Sequence, residues 1–391
     1  MALATIVSLA SVFGLGICLA LLGSIKISLT RNLEINDAQM GKLFSVFNFS
    51  NLIFVLLAGV LVDALSFKVA AIAGFILGAI AVFLFGQAKN YGAAVVACLL
   101  LGVGGMLVNT VGNTLFANPK ILFEDVGRSG NLGNVFFGIG AFVTPLITAW
   151  LFRKTSYATA LNVMAVILGV PAIIAIIANF PVQPTGYSLG AVAQLLPQSQ
   201  IILGGLALMC YIALEVSMGG WISTYATSLG ADEGKASNVL TSYWLALMIG
   251  RLATAYLIAD SLIKLDVDGA WFIFGLAIAA SIIAFLMSTA NSLGAGSTLC
   301  FLIGIAFAPI FPTVVGLTLS RTEPALRGSV FGVIFAIGLI GAIFVPAWMG
   351  AISAGKDIKA SMKVAGGTAV VLVVIALIMG LALGPPLSAA A

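Results

Sequence analysis

The chain has 391 residues, of which 61% are hydrophobic and only 8% are charged. A soluble globular domain carries roughly 25% charged residues, so this composition excludes that class. The net charge of +4 is too small and too widely spread to predict a nucleic-acid partner. The sequence has no histidine and no phosphate-binding or zinc motif, so it predicts neither an ATP-driven pump nor a metal site.

Twelve apolar segments follow one another, separated by polar or proline- and glycine-rich breaks. Each is long enough to cross a hydrocarbon core of about 30 Å as a helix that rises ~1.5 Å per residue. The sequence therefore predicts an all-α, polytopic protein embedded in the lipid bilayer. The predicted spans are residues 5–29, 41–62, 68–88, 92–117, 131–152, 157–180, 200–229, 235–259, 269–289, 293–319, 328–354 and 364–385.

The spans fall into two halves that resemble each other weakly. The longest break, residues 181–199, leaves six spans on each side. Arg128 followed by Pro145 in the fifth span recurs as Arg327 followed by Pro346 in the eleventh. We therefore predict an N-terminal six-helix bundle over 1–180, a cytoplasmic linker over 181–199 and a C-terminal six-helix bundle over 200–391. Repeats of this kind place a binding site between the halves near the membrane midplane.

Glu215 is the only acidic side chain inside any of the predicted spans. A carboxylate at that depth costs roughly 2.5–3.5 kcal/mol on the insertion scale, so a cation, a bound proton or a polar cavity must offset it. We expect Glu215 to be the ion-coupling group. When the two half-repeats are aligned, Lys26 in the first span lies within one helical turn of the depth of Glu215. It is interpreted as a snorkelling lysine, an ion-pair partner of Glu215 or an attractor for an anionic solute.

Asparagines and tryptophans in the spans are candidate solute contacts. Amides offer both donors and acceptors, which suits a polyhydroxylated solute, and they also tie helices together. Three asparagine pairs share a helix face because their members lie three or four residues apart. Trp221 and Trp244 are expected to stack on a sugar ring, although an interfacial position also explains Trp221. The pairs are Asn48 with Asn51, Asn109 with Asn113, and Asn131 with Asn134, and the predicted contacts are Asn48, Asn109, Asn113 and Asn134.

Six short motifs occur in order along nearly the whole chain. They contain Gly59 and Asp63 after the second span, Asn109 and Asn113 in the fourth, Asn131 and Asn134 in the fifth, Tyr211 through Glu215 to Trp221 in the seventh, Gly250 and Arg251 in the eighth, and Phe311-Pro312-Thr313 in the tenth. In this pattern the chain resembles the major facilitator superfamily. Within it, the chain resembles the fucose permease and the sodium-dependent glucose transporter-like sugar symporters.

The resemblance implies a twelve-helix fold of two pseudo-symmetric bundles and transport by alternating access, without enzyme activity. Asp63 and Arg251 are expected to act in gating. The family has an acidic residue in the first span, at a position that falls near Gly23 in this chain. The family also has a glutamate in the fourth span, at the position of Asn109 in this chain. Glu215 stands where the family can have glutamine, so we expect the coupling carboxylate in the second half. Fucose itself is not implied as the solute.

The predicted function is cation-coupled symport of a monosaccharide or a similar small polar solute. The alternative is transport of a small organic anion or sugar acid, with Lys26 as the anion attractor. A non-transporting receptor or an intramembrane enzyme is a third class. We expect a monomer in the cytoplasmic (inner) membrane with H⁺ or Na⁺ as coupling ion and no cofactor. The family topology places both termini in the cytoplasm, whereas the loop charges do not favour that orientation.

Overall fold

The chain folds almost entirely into helices in a computed structural model that describes residues 2–35, 37–181, 190, 193–194, 196–258, 268–355 and 358–383. A π-helical turn, Thr254–Ile258, continues α8, and a 3₁₀ turn, Pro324–Leu326, precedes α12. The α-helices are α1 (Ala2–Leu33), α2 (Asp37–Ala64), α3 (Phe67–Gln87), α4 (Tyr91–Phe116), α5 (Val126–Lys154), α6 (Tyr157–Ile177), α7 (Ser199–Ser228), α8 (Glu233–Ala253), α9 (Gly269–Met287), α10 (Leu293–Phe307), α11 (Ile310–Ser320), α12 (Arg327–Gly355) and α13 (Ile358–Ala382).

Each of the twelve predicted spans contains a helix, and the predicted all-α membrane fold is confirmed. Among the described residues, 11 helical stretches are long and apolar enough to cross a membrane, with α10 and α11 counted as one. The exception is α8, which carries Asn238, Ser242 and Arg251 between its apolar residues. The chain is a multi-pass integral membrane protein.

The tenth span is broken, although the sequence predicts it as one segment. The α-helix stops at Phe307 and restarts at Ile310, so that Ala308 and Pro309 lie at the break. Proline has no backbone N–H and cannot donate to the carbonyl four residues earlier. Pro312 therefore leaves the carbonyl of Ala308 without its helical donor. A half-helix junction of this kind exposes backbone polar groups inside the membrane.

The second span is longer than predicted. The sequence ends this span at residue 62, whereas α2 continues to Ala64. Asp63 consequently lies inside the helix, where it is only 8% exposed. The prediction that Glu215 is the only acid within the membrane helices is therefore wrong.

The described residues group into two compact units. The first unit contains Met1–Glu124, Gly133–Val192 and Glu323–Val333, and the second contains Asp125–Leu132, Ala193–Thr322 and Ile334–Ala391. The start of α5 belongs to the second unit and the start of α12 to the first. The predicted boundaries 1–180, 181–199 and 200–391 remain predictions. Most of the predicted linker, 181–199, lies outside the described residues.

Close glycine contacts hold helices together within the first unit. A Cβ atom built on Gly104 of α4 would lie 2.5 Å from the backbone nitrogen of Gly78 in α3. Only glycine allows two backbones to approach this closely, which is the usual way that membrane helices gain packing energy. The contact sets α4, with its asparagine pair, directly against α3.

Candidate functional site

Glu215 lies on α7 at the centre of a buried polar cluster. The hydroxyl of Tyr211, one helical turn earlier, donates to Glu215 Oε1 at 2.9 Å. A terminal guanidinium nitrogen of Arg251, on α8, lies 3.3 Å from the same oxygen. The side chain of Arg251 is 2% exposed and that of Glu215 is 17% exposed. Arg251 therefore supplies the cation that a carboxylate at this depth requires.

Arg251 also connects the cluster to the break in the tenth span. Its Nε donates to the carbonyl oxygen of Ala308 at 3.1 Å, and a terminal nitrogen donates to the Tyr211 hydroxyl at 3.2 Å. The neighbouring Gly250 makes this possible, because a Cβ atom there would lie 2.5 Å from the Cβ of Ala308. One guanidinium thus joins α7, α8 and the break between α10 and α11.

Tyr243, about two turns before Arg251 on α8, borders the same cluster. It is fully buried and lies near Glu215, Tyr211 and Arg251. Within the described part of the chain this hydroxyl has no hydrogen-bond partner. An unpaired buried hydroxyl costs roughly 1–3 kcal/mol, so it is available to bind water or a solute hydroxyl. We refer to Tyr211, Glu215, Tyr243 and Arg251 as the Glu215 cluster.

From the sequence, a cation, a bound proton or a polar cavity was expected to offset the burial of Glu215, and Lys26 was the side chain considered as its ion-pair partner. Lys26 is exposed on α1 in the first unit, and the roles expected for it remain predictions. Arg251 was interpreted as a gate or helix-end contact, and the structure shows it as the ion-pair partner of Glu215. Two signals pointed to this cluster. Tyr211 stands four residues before Glu215, and Arg251 is a single arginine in an otherwise uncharged run.

In the first unit, α4 carries a buried pair of amides. Asn113 Nδ2 donates to the side-chain oxygen of Asn109 at 2.8 Å and to its backbone oxygen at 3.0 Å. The two residues are 4% and 1% exposed, respectively. Asn109 Nδ2 has no hydrogen-bond partner among the described residues. The predicted shared face of α4 therefore exists, and it presents a buried amide donor that no described protein acceptor uses.

The other predicted asparagines are placed differently. Asn48 is exposed on α2, whereas its face neighbour Asn51 is buried against α4 near Gly102. Asn134 is 5% exposed on α5 in the first unit. Asn131 belongs to the second unit, and its amide donates to the carbonyl of its own helix at Gly127. The structure thus brings Asn109 and Asn113 into contact, and the roles of Asn48 and Asn134 in solute binding remain predictions.

The aromatic side chains of the second unit divide into bonded and exposed groups. The indole N–H of Trp221 donates to the carbonyl of Pro346 at 3.3 Å, so this ring packs on α12. The hydroxyl of the fully buried Tyr225 donates to the carbonyl of Met287 at 2.9 Å. Trp244 packs over Gly219 and remains 37% exposed. Of the two predicted stacking residues, Trp244 therefore keeps more surface for a ligand, and both roles remain predictions.

Asp63 caps the start of α12 within the first unit. Its two carboxylate oxygens accept the backbone N–H groups of Gly328 at 2.9 Å and Ser329 at 2.6 Å. A carboxylate at a helix N-terminus pairs with unsatisfied amides and with the positive end of the helix dipole. The approach is close, because a Cβ on Gly59 would lie 2.4 Å from the Gly328 oxygen. The gating role of Asp63 remains a prediction.

Arg327 makes a second link at the same helix start, and the sequence analysis did not identify it as a site residue. Its guanidinium donates to the carbonyl of Ala117, the C-cap residue of α4, at 2.9 Å. The arginine is therefore placed where a cation stabilises the negative end of a helix dipole. The repeat of Arg128 as Arg327 was the available signal, but it did not indicate the partner.

Comparisons with known proteins identify a matching family and several similar proteins. A sequence model of the Major Facilitator Superfamily matches residues 1–346. "Glucose/galactose transporter" of Brucella abortus is 25% identical over 327 residues, which cover 76% of this chain and 74% of that protein. "Protein TsgA homolog" of Erwinia tasmaniensis is 26% identical over 288 residues, which cover 66% of this chain and 71% of that protein.

Solved structures show the same fold. The transporter FucP in the outward conformation superposes with a TM-score of 0.81 at 19% identity, covering 95% of this chain and 97% of its own. A second structure of FucP, the fucose:proton symporter of E. coli, gives a TM-score of 0.78 at 20% identity, covering 96% and 98%.

Proposed function

The chain belongs to the major facilitator superfamily, and from that membership we propose that it is a cation-coupled symporter of a monosaccharide or a similar small polyhydroxylated solute. The Glu215 cluster carries the proposal, because it holds a partly exposed carboxylate inside a membrane helix beside a buried arginine. The similarity to a glucose/galactose transporter and to a fucose:proton symporter supports the solute class. We place the protein in the cytoplasmic (inner) membrane.

Two polar groups favour a neutral, hydroxyl-bearing solute. Asn109 offers a buried amide donor that has no acceptor among the described residues. Glu215 has one oxygen engaged by Tyr211 and Arg251, and the carboxylate as a whole can accept further hydrogen bonds. Sugar hydroxyls both donate and accept, so they can satisfy either group.

The exposure of the ion pair argues against an anionic solute. Glu215 is 17% exposed, whereas Arg251 is 2% exposed, so a molecule reaching the pair meets the carboxylate first. A sugar acid would be repelled there in a low-dielectric environment. We therefore favour a neutral sugar over the sugar acid that Lys26 had suggested as the alternative.

Glu215 is the proposed coupling group. The buried guanidinium of Arg251 lies 3.3 Å from this carboxylate, so a movement that separates the two groups would leave Glu215 to bind a proton or a sodium ion instead. Empty and loaded carriers then differ in charge, which lets an ion gradient drive the solute uphill.

Replacing Glu215 with glutamine tests this role in proteoliposomes. We expect Glu215→Gln to lose accumulation of labelled sugar driven by a pH or sodium gradient, while exchange of sugar between the two sides of the membrane survives. Glu34→Gln, an exposed carboxylate at the end of α1, is the matched control and should behave as wild type. Full uphill accumulation by Glu215→Gln would rule out the coupling role.

A second substitution tests the solute contact on α4. Asn109→Ala removes the buried donor, and we expect the affinity for the sugar to fall by about 5- to 150-fold, because one hydrogen bond in a dry site contributes about 1–3 kcal/mol. Asn162→Ala, whose amide bonds Gln87 at the surface, should leave the affinity unchanged. Competition by neutral hexoses and by uronates then separates the sugar from the sugar acid. Unchanged affinity in Asn109→Ala would place the solute elsewhere.

A further inference from the structure

Arg251 donates hydrogen bonds to two acceptors on different helices. One is the Glu215 carboxylate on α7, and the other is the carbonyl of Ala308 at the break in the tenth span. In a continuous helix the Ala308 carbonyl would accept from residue 312, but residue 312 is proline and has no N–H. The guanidinium therefore replaces a missing helical hydrogen bond.

The local sequence around Arg251 suits a bond that can be made and broken. Three residues after Arg251, α8 changes into the π-helical turn Thr254–Ile258. Single π-turns weaken the regular hydrogen-bond ladder and are frequent at functional positions in helices. On the other side, Ala308 and Pro309 already lie outside regular helix. Arg251 and Ala308 consequently each lie next to an interruption of regular α-helix.

We infer that Arg251 is a positioning residue that couples the charge of Glu215 to the geometry of the break between α10 and α11. The inference rests on the proposed function in one respect, namely that Glu215 changes its charge during the transport cycle. Neither the family membership nor the similar transporters assign a role to the Arg251–Ala308 bond.

The physical reason is the cost of an unpaired buried charge. While Glu215 is ionised, its negative charge compensates the positive charge of Arg251, and the guanidinium donates a hydrogen bond to the Ala308 carbonyl. When Glu215 becomes neutral, a guanidinium that is 98% buried loses its counter-charge, which is strongly unfavourable. The other titratable groups close to the pair are the hydroxyls of Tyr211 and Tyr243, and Cys300 of α10 adjoins Tyr243. These groups are neutral donors or acceptors and cannot replace the lost charge.

Arg251 must then shift towards a more polar position, and the Ala308 carbonyl loses its donor. The break in the tenth span becomes free to change its bend. Neutralisation of one carboxylate on α7 is thereby converted into a movement of α10 relative to α11, which are otherwise separate helices.

Hydrogen–deuterium exchange measures this coupling without any transport. In purified protein at constant pH, Glu215→Gln imitates the neutral acid. We expect the backbone amides of residues 305–313 to exchange about 10-fold faster than in wild type, the effect of losing one hydrogen bond from a charged donor. Arg251→Gln should give the same increase, and the double variant should add nothing further. Additive effects, or wild-type exchange in Glu215→Gln, would overturn the inference.

Two further variants keep the test specific. Asp268→Asn neutralises the carboxylate of a different Arg–carboxylate pair in the second unit, that with Arg321 at 3.0 Å, and should leave exchange at 305–313 unchanged. Pro312→Ala supplies an N–H for the Ala308 carbonyl, so Glu215→Gln should no longer accelerate exchange in that background. A faster exchange caused by Glu215→Gln in the Pro312→Ala background would also refute the coupling.

The exchange experiment and the uptake experiment can fail separately. If the exchange results are as expected but the protein does not take up sugar, the proposed function is refuted and the coupling between Glu215 and the break stands.

Discussion

Replacing Asp63 with asparagine should loosen the start of α12. The carboxylate accepts two backbone N–H groups, from Gly328 at 2.9 Å and Ser329 at 2.6 Å, in a buried position. Asparagine keeps one oxygen that can accept a hydrogen bond, but its NH₂ group would face the second backbone N–H, and two donors cannot bond each other. Asparagine also has no negative charge to interact with the positive end of the helix dipole. The loss of one hydrogen bond to a charged group contributes about 1.5–3 kcal/mol, and the lost dipole interaction adds ~0.3–1 kcal/mol.

A total of about 2–4 kcal/mol corresponds to a shift of roughly 30- to 900-fold in the equilibrium between the capped and uncapped arrangements. If this cap is part of a gate, the population in which the start of α12 is accessible should rise by that factor. If the cap only contributes to folding, thermal stability should fall and accessibility should not change. The two roles are thus distinguishable.

Cysteine labelling gives the measurement. The four native cysteines are buried and can be replaced by alanine, after which Val330→Cys reports on the first turn of α12, where Val330 is 2% exposed. Asp63→Asn should raise the rate of maleimide reaction at residue 330 by at least ~10-fold. Val12→Cys, fully buried in α1, is the control and should react equally in both backgrounds. An unchanged rate at residue 330 would refute the gating role.

Two other substitutions test one contact in each unit. Gly104→Ala should lower the stability of the purified protein by about 1–3 kcal/mol, seen as a reduced unfolding temperature, because its Cβ would meet the α3 backbone. Gly275→Ala on α9 is the control and should be neutral or stabilising, because a Cβ there meets nothing within 4 Å. Equal behaviour of the two variants would contradict the packing argument. Tyr225→Phe should cost about 1 kcal/mol by removing the hydrogen bond to Met287, with sugar affinity unchanged. A loss of affinity in Tyr225→Phe would instead place this hydroxyl at the solute.

Helix positions were predictable because they depend on local composition. A helix satisfies its own backbone hydrogen bonds, so any sufficiently long apolar segment in lipid must adopt that structure. Local chemistry that interrupts a helix was harder to interpret. The prolines at 309 and 312 were visible in the sequence, but apolar residues surround them and the tenth span was predicted as continuous.

The candidate site was likewise predictable only in part from the sequence. The four-residue spacing of Asn109 and Asn113 predicted a shared face, and the two amides do bond each other. The spacing did not show that Asn131 and Asn134 group with different units. For Trp221, residue type alone favoured a solute contact, whereas its N–H is engaged by the carbonyl of Pro346, 125 residues away.

The sequence by itself determined that this protein spans the membrane many times, that its halves resemble each other weakly and that a cation, a proton or a polar cavity must offset the burial of Glu215. These conclusions follow from transfer free energies, which each segment carries independently of its neighbours. Only the tertiary structure decided that the compensating charge is Arg251, 36 residues further along the chain. It likewise decided that Asp63 caps a helix start 265 residues away. Such partners are chosen by the packing of helices against one another, because a buried charge accepts whichever complementary group the fold brings within hydrogen-bonding distance.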